Sequence, residues 1–470
     1  MRYISTRGEA PVLGFEDAAL AGLARDGGLY VPETWPTLSR DQIADFAGRP
    51  YHEVAVEVIE PYTGGAIARR DLMAMAADAY ATFGHPAVTP LVQIAPNRFV
   101  LELFHGPTLA FKDVAMQLLA RLIDHILEKR DGRVTIVGAT SGDTGGAAIE
   151  AFRSSKRADV FILFPDGRVS DVQRRMMTTP TEANIHAVAI DGTFDDAQAL
   201  VKAMFTHHGF RDRMKLAGVN SINWARILPQ VAYYFAAAVA LGAPHRPVTF
   251  VVPTGNFGDI FAGYVARRMG LPIERLVVAS NPNDILPRTI QSGAYEKRGV
   301  TATTSPSMDI EVSSNFERYL FEAQGRDAAL IRRQMASLAQ AGRFDVQGGA
   351  AALGRDFSAA SASEAEVEAA VRSVRASSGY LLDPHTACAV VAADKALGEG
   401  APVPEVILAT ASPAKFPDTM QAIAGVRPPL PARLAGLMNA EERMHRAPAD
   451  LVAIEELVAR HASATRGASA

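Results

Sequence analysis

The sequence predicts an α/β protein, with parallel sheets flanked by helices and a mainly helical segment ahead of them. Apolar strand-like runs recur at 99–104, 133–138, 160–164, 185–190, 248–252, 276–280 and 405–410, and helical patterns separate most of them. Strands that read as continuous apolar runs are buried on both faces, and alternation with helices implies a parallel sheet. Several of the runs feed Gly- or Pro-containing loops that open helices. Ligands of such sheets bind beyond the carboxyl ends of the strands, so these loops are the places to look for chemistry.

Residues 1 to about 95 carry helical patterns between Pro and Gly breaks, as at 17–24, 41–47 and 71–83. The stretch TGGAIARRD has Gly64-Gly65 and paired arginines, and is read as a solvated turn rather than a phosphate site. The alternating pattern starts at about Asn97. Its first loop is HGPTLAFKD, His105 to Asp113, which places Lys112 where a polar loop meets a helix. Leu109, Ala110 and Phe111 precede it and Asp113 follows. Burial among apolar neighbours lowers an amine's proton affinity, and a neutral amine can attack a carbonyl. Taken alone, this stretch also fits a solvated lysine at a helix start.

Two more loops of the same kind lie downstream. GATSGDTGG, Gly138 to Gly146, opens a helix at about Thr144; PTGNFGD, Pro253 to Asp259, opens one over 260–269. Glycines let backbone N–H groups approach an anion, and the helix end adds positive potential. Neither loop matches the dinucleotide or P-loop pattern, so a phosphate group on a cofactor or substrate fits better than a dinucleotide. Thr410 stands at another strand end. Between about 301 and 378 the pattern loosens into Ala/Ser/Glu-rich helices. After LATASPAKFPDTM the tail is punctuated by prolines and then helical to about Ala462. The closing SATRGASA is expected to be disordered.

At 470 residues the chain exceeds one hydrophobic core, and 48% apolar with 21% charged residues describes an ordinary globular protein. A net charge of −4 gives no electrostatic case for nucleic acid or an acidic membrane. Cys388 is the single cysteine, so no disulfide framework or cysteine metal site is expected. His207-His208 lacks a third ligand at metal spacing, and no metal is expected. Neither a signal-peptide pattern nor a bilayer-length apolar run is present, which makes a cytoplasmic enzyme the expectation.

The sequence resembles the threonine synthases along nearly its whole length. MRYISTRG, DGGLYVPE, GPTLAFKD, ATSGDTG, SINWARILPQ, PTGNFGD and LATASPAKFP carry the resemblance, in the family's order. It implies the tryptophan-synthase-β-like fold, pyridoxal-phosphate fold type II. It divides the chain into an N-terminal domain over 1–95, a cofactor-binding catalytic body of two α/β subdomains over 96–430, and a helical tail over 431–470. The implied cofactor is pyridoxal 5'-phosphate, with Lys112 as its Schiff-base lysine. Gly255, Asn256, Phe257, Gly258 and Asp259 would cup its phosphate. Many relatives have Asn at 259, and a carboxylate there would repel phosphate. Asp259 is therefore expected to offer its backbone N–H or to cap the helix. Thr410 matches the residue whose hydroxyl faces the pyridine nitrogen, a weaker electron sink that suits elimination and replacement.

Ser141, Gly142, Asp143 and Thr144 resemble the loop that holds the substrate's carboxylate. Asp143 stands where relatives of the wider fold carry Asn near the cofactor's 3-hydroxyl. Asn220, Ser221, Asn223 and Arg226 resemble the segment that binds the substrate's phosphate, which Arg226 can hold bidentately. The alternative for Arg226 is a structural ion pair. His105 either lines the site or packs in its loop, and His385, in DPHTA, is read as a helix cap. The implied reaction turns O-phospho-L-homoserine and water into L-threonine and phosphate, in a monomer or homodimer. Two other readings stay open: a phospholyase that releases a keto acid, and a cofactor-binding protein without turnover.

Overall fold

The computed structural model describes residues 1–398 and 402–463; 464–470, most of the segment expected to be disordered, lie outside the described residues. All seven predicted runs are strands, and they divide between two sheets. The first runs Phe357–Ser361, Ile273–Ser280, Val248–Pro253, Glu405–Ala409, Arg98–Glu102, Leu91–Ala95 from edge to edge. Its pairings are parallel except that of Leu91–Ala95 with Arg98–Glu102. The second sheet is parallel throughout: His445–Pro448, Ile185–Asp191, Ala158–Pro165, Val134–Ala139, Leu216–Ala217.

Both sheets are buried on two faces, which is why their strands read as unbroken apolar runs. In the first, Phe250, Val252, Val406 and Leu408 pack toward the Trp224–Ala240 helix. Val251, Val277 and Ile407 pack on the other side against Ala387, Val390 and Val391 of the Pro384–Leu397 helix. In the second, Ile136, Ile162 and Ala187 face one core, and Val137, Phe161 and Val188 face another. The Lys112–Lys129 helix belongs to both layers. Val114, Leu118 and Leu122 enter the core of the first sheet, while Leu119, Ile123 and Ile126 enter that of the second.

The strands that the pattern did not reveal lie mostly at sheet edges. Leu91–Ala95, Phe357–Ser361 and His445–Pro448 each pair on one side only, so they are short and carry polar or small residues. The proline-punctuated tail therefore holds a strand before its Leu451–His461 helix. Near the N-terminus the helices are Phe15–Ala21, Arg40–Ala44, Tyr51–Thr63 and Arg69–Tyr80. Arg69 pairs with Glu57 and Glu60 at the surface, consistent with a solvated turn. Among the described residues no helix is long and apolar enough to cross a membrane.

The N-terminal segment is fastened to the sheet body by buried polar contacts. Tyr3 accepts a hydrogen bond from Trp224 Nε1 at 3.2 Å and donates to the Tyr62 carbonyl at 2.8 Å. Arg318 is fully buried, and burial pulls its guanidinium down to about 9. It donates to the carbonyls of Tyr30, at 3.0 Å, and Ile222, at 2.6 Å, and to the Asn315 side chain. Arg318→Met keeps the bulk and removes these donors. It should lower stability by about 3 kcal/mol, since each buried acceptor left unpaired costs about 1–3 kcal/mol. Urea unfolding reads the change, and an unaltered midpoint would show that water replaces the guanidinium.

Candidate active site

Four strand ends deliver their loops to one cleft. Its walls include Lys112, Asp143, Arg226, Asp259, His385 and Thr410. Lys112 is the first residue of its helix, with the amine 4.9 Å from the centre of the Phe111 ring. Burial is the largest influence on that amine and lowers its pKa; Arg226 and Lys415 add to the effect, and Asp143 opposes it. The neighbouring Asp113 is not its counter-ion. That carboxylate turns away to accept from the N–H and hydroxyl of Thr108, both at 2.7 Å, and burial pushes it up to about 6.

The counter-ion is Asp143. Its Oδ2 lies 3.4 Å from Lys112 Nζ, and its Oδ1 lies 2.5 Å from Nζ of Lys415. Gln173 donates to Oδ1 at 2.9 Å and the Ser307 hydroxyl to Oδ2 at 3.2 Å. Burial alone would raise Asp143, but the two ammonium groups outweigh it and hold the carboxyl well below its usual range. The Asp143 side chain thus organises cations, and would itself repel an anion such as a substrate carboxylate. Of the same loop, Thr144 lines the cleft, while Ser141 and Gly142 do not. Gly142 has φ 138°, and a Cβ there would come within 2.4 Å of the Gln173 side chain that reaches Asp143. The N–H groups of Gly142 and Gly145 are taken by the Thr140 hydroxyl, each at 2.9 Å.

The loop from Gly255 to Gly258 is built the opposite way. Its carbonyls are spent: Gly255 O accepts from the Ser313 hydroxyl at 2.7 Å, and Asn256 O from Asn315 N and Nδ2, both at 3.0 Å. The N–H groups of Gly255, Asn256, Phe257 and Gly258 have no acceptor among the described residues. Phe257 adopts φ 60°, turning the loop into the Gly258–Arg268 helix. A Cβ on Gly255 would sit 2.7 Å from the Ser307 carbonyl, so this wall closes only over glycine. Of the two alternatives for Asp259, backbone N–H or helix cap, the cap is not found, since its carboxylate caps nothing. Oδ1 accepts from the hydroxyls of Tyr233 at 2.5 Å and Tyr234 at 2.9 Å.

Arg226 is 3% exposed, and burial pulls it down to about 10. It donates to the Val219 carbonyl at 3.2 Å, and no carboxylate pairs with it among the described residues. The structural ion pair is therefore not what the structure contains. Ser221 lines the cleft and Asn220 does not. Asn223 is a correction too: it caps the Trp224–Ala240 helix through Ala225 N at 2.9 Å and donates to the Ala19 and Gly218 carbonyls. Thr410 is buried, and its carbonyl accepts from Phe111 N at 2.8 Å; its hydroxyl has no protein partner among the described residues.

His385 lines the cleft, and the helix cap is Asp383 instead. Asp383 holds His385 Nδ1 at 2.7 Å, leaving Nε2 to accept from Ser307 N at 3.3 Å. His105 pairs with Glu102 at 2.7 Å away from the cleft lining, and His207 with Glu455 at 2.8 Å. Lys415, Gln173, Ser307 and Asp383 were not foreseen. Only Lys415 had a readable clue, a lysine among Pro413, Ala414 and Phe416 that repeats the setting of Lys112.

Parallel sheets, a desolvated lysine and a loop of free N–H groups together define a pyridoxal-phosphate-dependent enzyme of the tryptophan-synthase-β-like fold, fold type II. Three family models match: Threonine synthase N terminus over residues 2–80, Pyridoxal-phosphate dependent enzyme over 83–355, and Threonine synthase, C-terminal, over 386–458. Threonine synthase from Pseudomonas aeruginosa is 51% identical, with 98% of each chain covered. The crystal structure of PLP-bound threonine synthase from Brucella melitensis superposes with TM-score 0.95 at 59% identity, covering 98% of this chain and 100% of that one. The yeast threonine synthase structure gives 0.90 at 37% identity, covering 98% and 97%. The chain belongs to the threonine synthase family.

Lys415→Met should cost about 3–5 kcal/mol, because it strips a buried carboxylate of its nearer cation. Asp143 is depressed in the folded state. Its contribution is therefore present above the usual 3.8 and lost as pH falls through the lower folded value. Acid unfolding of Lys415→Met should accordingly begin at higher pH than in the parent. Adding Asp143→Asn should return much of the loss in a urea double-mutant cycle. Strictly additive losses would mean that the pair is not coupled.

Proposed function

We propose that this cleft carries the conversion of O-phospho-L-homoserine and water to L-threonine and phosphate, with Lys112 moving the protons and Arg226 seating the substrate's phosphate. The observation that supports it most is Arg226, a buried guanidinium with one carbonyl partner and no carboxylate among the described residues. A charge left unpaired in a dry wall is costly unless an anion arrives to complete it.

The residues present fit the cofactor. Lys112 offers the amine, Gly255, Asn256, Phe257 and Gly258 offer N–H groups for its phosphate, and the free hydroxyl of Thr410 suits a ring nitrogen that stays unprotonated. Pyridoxal phosphate, when bound, supplies an aldehyde for amines and a ring that accepts electrons from a substrate carbon. Lys112 Nζ, its proton affinity lowered by burial and by two nearby cations, takes the α proton of the substrate, returns it to the conjugated system of the bound substrate, and as a neutral amine again takes a β proton. Asp143 keeps that amine oriented, and Lys415 keeps Asp143 ionised. Arg226 holds phosphate before and after its bond to the γ carbon breaks, so no charge must leave the cleft before water adds at the β carbon. Thr144 and Ser221, both in the lining, are the polar groups assigned to the rest of the substrate.

The test is product analysis. Purified protein given phosphohomoserine should release threonine and phosphate in equal amounts, and a keto acid in place of threonine would overturn the reading. Lys112→Ala should lose turnover together with borohydride-stable attachment of the cofactor. Attachment that persists would place the reactive amine elsewhere. Arg226→Ala should weaken phosphohomoserine by about 2 kcal/mol or more while leaving cofactor affinity nearly unchanged, as expected for a lost charge-assisted contact. Unchanged substrate affinity with lowered stability would make Arg226 structural.

A further inference from the structure

His385 lines the cleft yet has no part in the proton and phosphate handling assigned to Lys112 and Arg226. It is 2% exposed, and its ring is held at both nitrogens. A backbone N–H can only donate, so the nitrogen that faces Ser307 N carries a lone pair. The ring proton therefore lies on Nδ1 and points at Asp383 Oδ2, 2.7 Å away. Asp383 is fixed in turn by the N–H groups of His385 and Thr386, at 3.0 and 3.1 Å, and by the Thr386 hydroxyl. The imidazole is thus neutral, in one tautomer, with its acceptor directed at Ser307.

Ser307 lies at the tip of a short segment, Ser305 to Asp309, whose two ends are clamped by one side chain. Asn281 Nδ2 donates to the Ser305 hydroxyl at 3.0 Å and to Asp309 Oδ1 at 2.7 Å. The tip is tied separately, by its N–H to His385 and by its hydroxyl to Asp143 Oδ2 at 3.2 Å. That oxygen is also the one that meets Lys112, at 3.4 Å, while Oδ1 is taken by Lys415 and Gln173. Ser307 and Lys112 therefore divide one carboxylate oxygen between them.

We propose that His385 is a positioning residue for Lys112: as a neutral acceptor it holds Ser307 in the cleft wall, where the Ser307 hydroxyl takes a share of the Asp143 oxygen that Lys112 would otherwise have alone. This rests on the reading that Lys112 is the reactive amine. A carboxylate oxygen that already accepts from a hydroxyl attracts a neighbouring ammonium less. Ser307 in place also closes the wall, its carbonyl 2.7 Å from where a Cβ on Gly255 would be. Both effects favour the neutral amine. The charges that act on Lys112 are Asp143, which raises its proton affinity, and Arg226 and Lys415, which lower it; Asp259 is within reach of its charge as well. His385 bonds none of these among the described residues and works through Ser307.

The two ring nitrogens can be removed one at a time. His385→Asn keeps a donor for Asp383 and loses the acceptor for Ser307, whereas His385→Gln keeps the acceptor and loses the donor. Competitive acetylation of the cofactor-free full chain with acetic anhydride, read by mass spectrometry against the exposed Lys156, gives the pH at which Lys112 becomes neutral. The midpoint carries the test, since a change in access alters the rate equally at every pH. His385→Asn and Ser307→Ala should each raise it. At a fixed pH below the midpoint the neutral fraction then falls about three- to tenfold, a shift of about half to one unit. His385→Gln should stay near the parent, and His385→Asn should add little in a Ser307→Ala background. An unmoved midpoint in His385→Asn, an equal shift in His385→Gln, or full additivity of the two losses would make His385 structural and overturn the proposal. A parent midpoint no lower than that of Lys156 would instead overturn the reading of Lys112 as the neutral amine.

Discussion

The cleft contains more buried positive charge than its walls neutralise. Lys415 and Arg226 are buried and Lys112 is mostly so, and Asp143 is the single carboxylate paired with any of them among the described residues. Most of the site's geometry answers that imbalance. Asp143 lies between two ammonium groups, Asp113 is diverted onto Thr108, and Asp259 onto a tyrosine pair. Each diversion keeps a nearby acid from cancelling the positive field. What can cancel it is an anion from solution, and both the cofactor and the substrate carry phosphate. Binding energy is thus available where phosphate charge shifts during the reaction, which is where it accelerates a step.

The fold supplies that arrangement by placing reactive residues at strand ends and fixing them from behind. The Gly255–Gly258 segment faces the cleft with its N–H groups because Ser313 and Asn315 hold its carbonyls from the other side. Asn315 also bonds the Ser221 carbonyl, at 3.0 Å, and accepts from Arg318. One buried arginine therefore ties the anion loop, the Arg226 segment and the N-terminal strand Tyr30–Pro32 into a single scaffold. Ser307 does the same for the opposite wall, bonding Asp143 through its hydroxyl and His385 through its N–H.

Much of this was legible in the sequence, for a physical reason. Strands buried on both faces must be apolar throughout, so all seven interior runs show as such, while the edge strand Phe357–Ser361, with its Ser and Ala residues, does not. Lys112, Thr410 and the glycine loop are visible because each sits at a local break in a periodic pattern. The partners of those residues are not. Lys415 meets Asp143 across 272 positions by their numbering, and spacing along the chain says nothing about such a meeting. Side-chain direction is equally hidden. Asn223 and Asp259 stand in the right segments, yet one is used on a helix end and the other on two phenols.

The helix that begins with Lys112 is shared by the cores of both sheets. A helix with one face in each core cannot be released by either layer alone without exposing apolar residues that the other was burying. Opening of one layer is therefore coupled to loss of the other, and the backbone amides of Lys112–Lys129 should exchange with solvent only at the free energy of global unfolding. The reactive amine is thus anchored in the slowest-exchanging part of the molecule. Its position is inherited from the stability of the whole chain rather than from the loops that surround it.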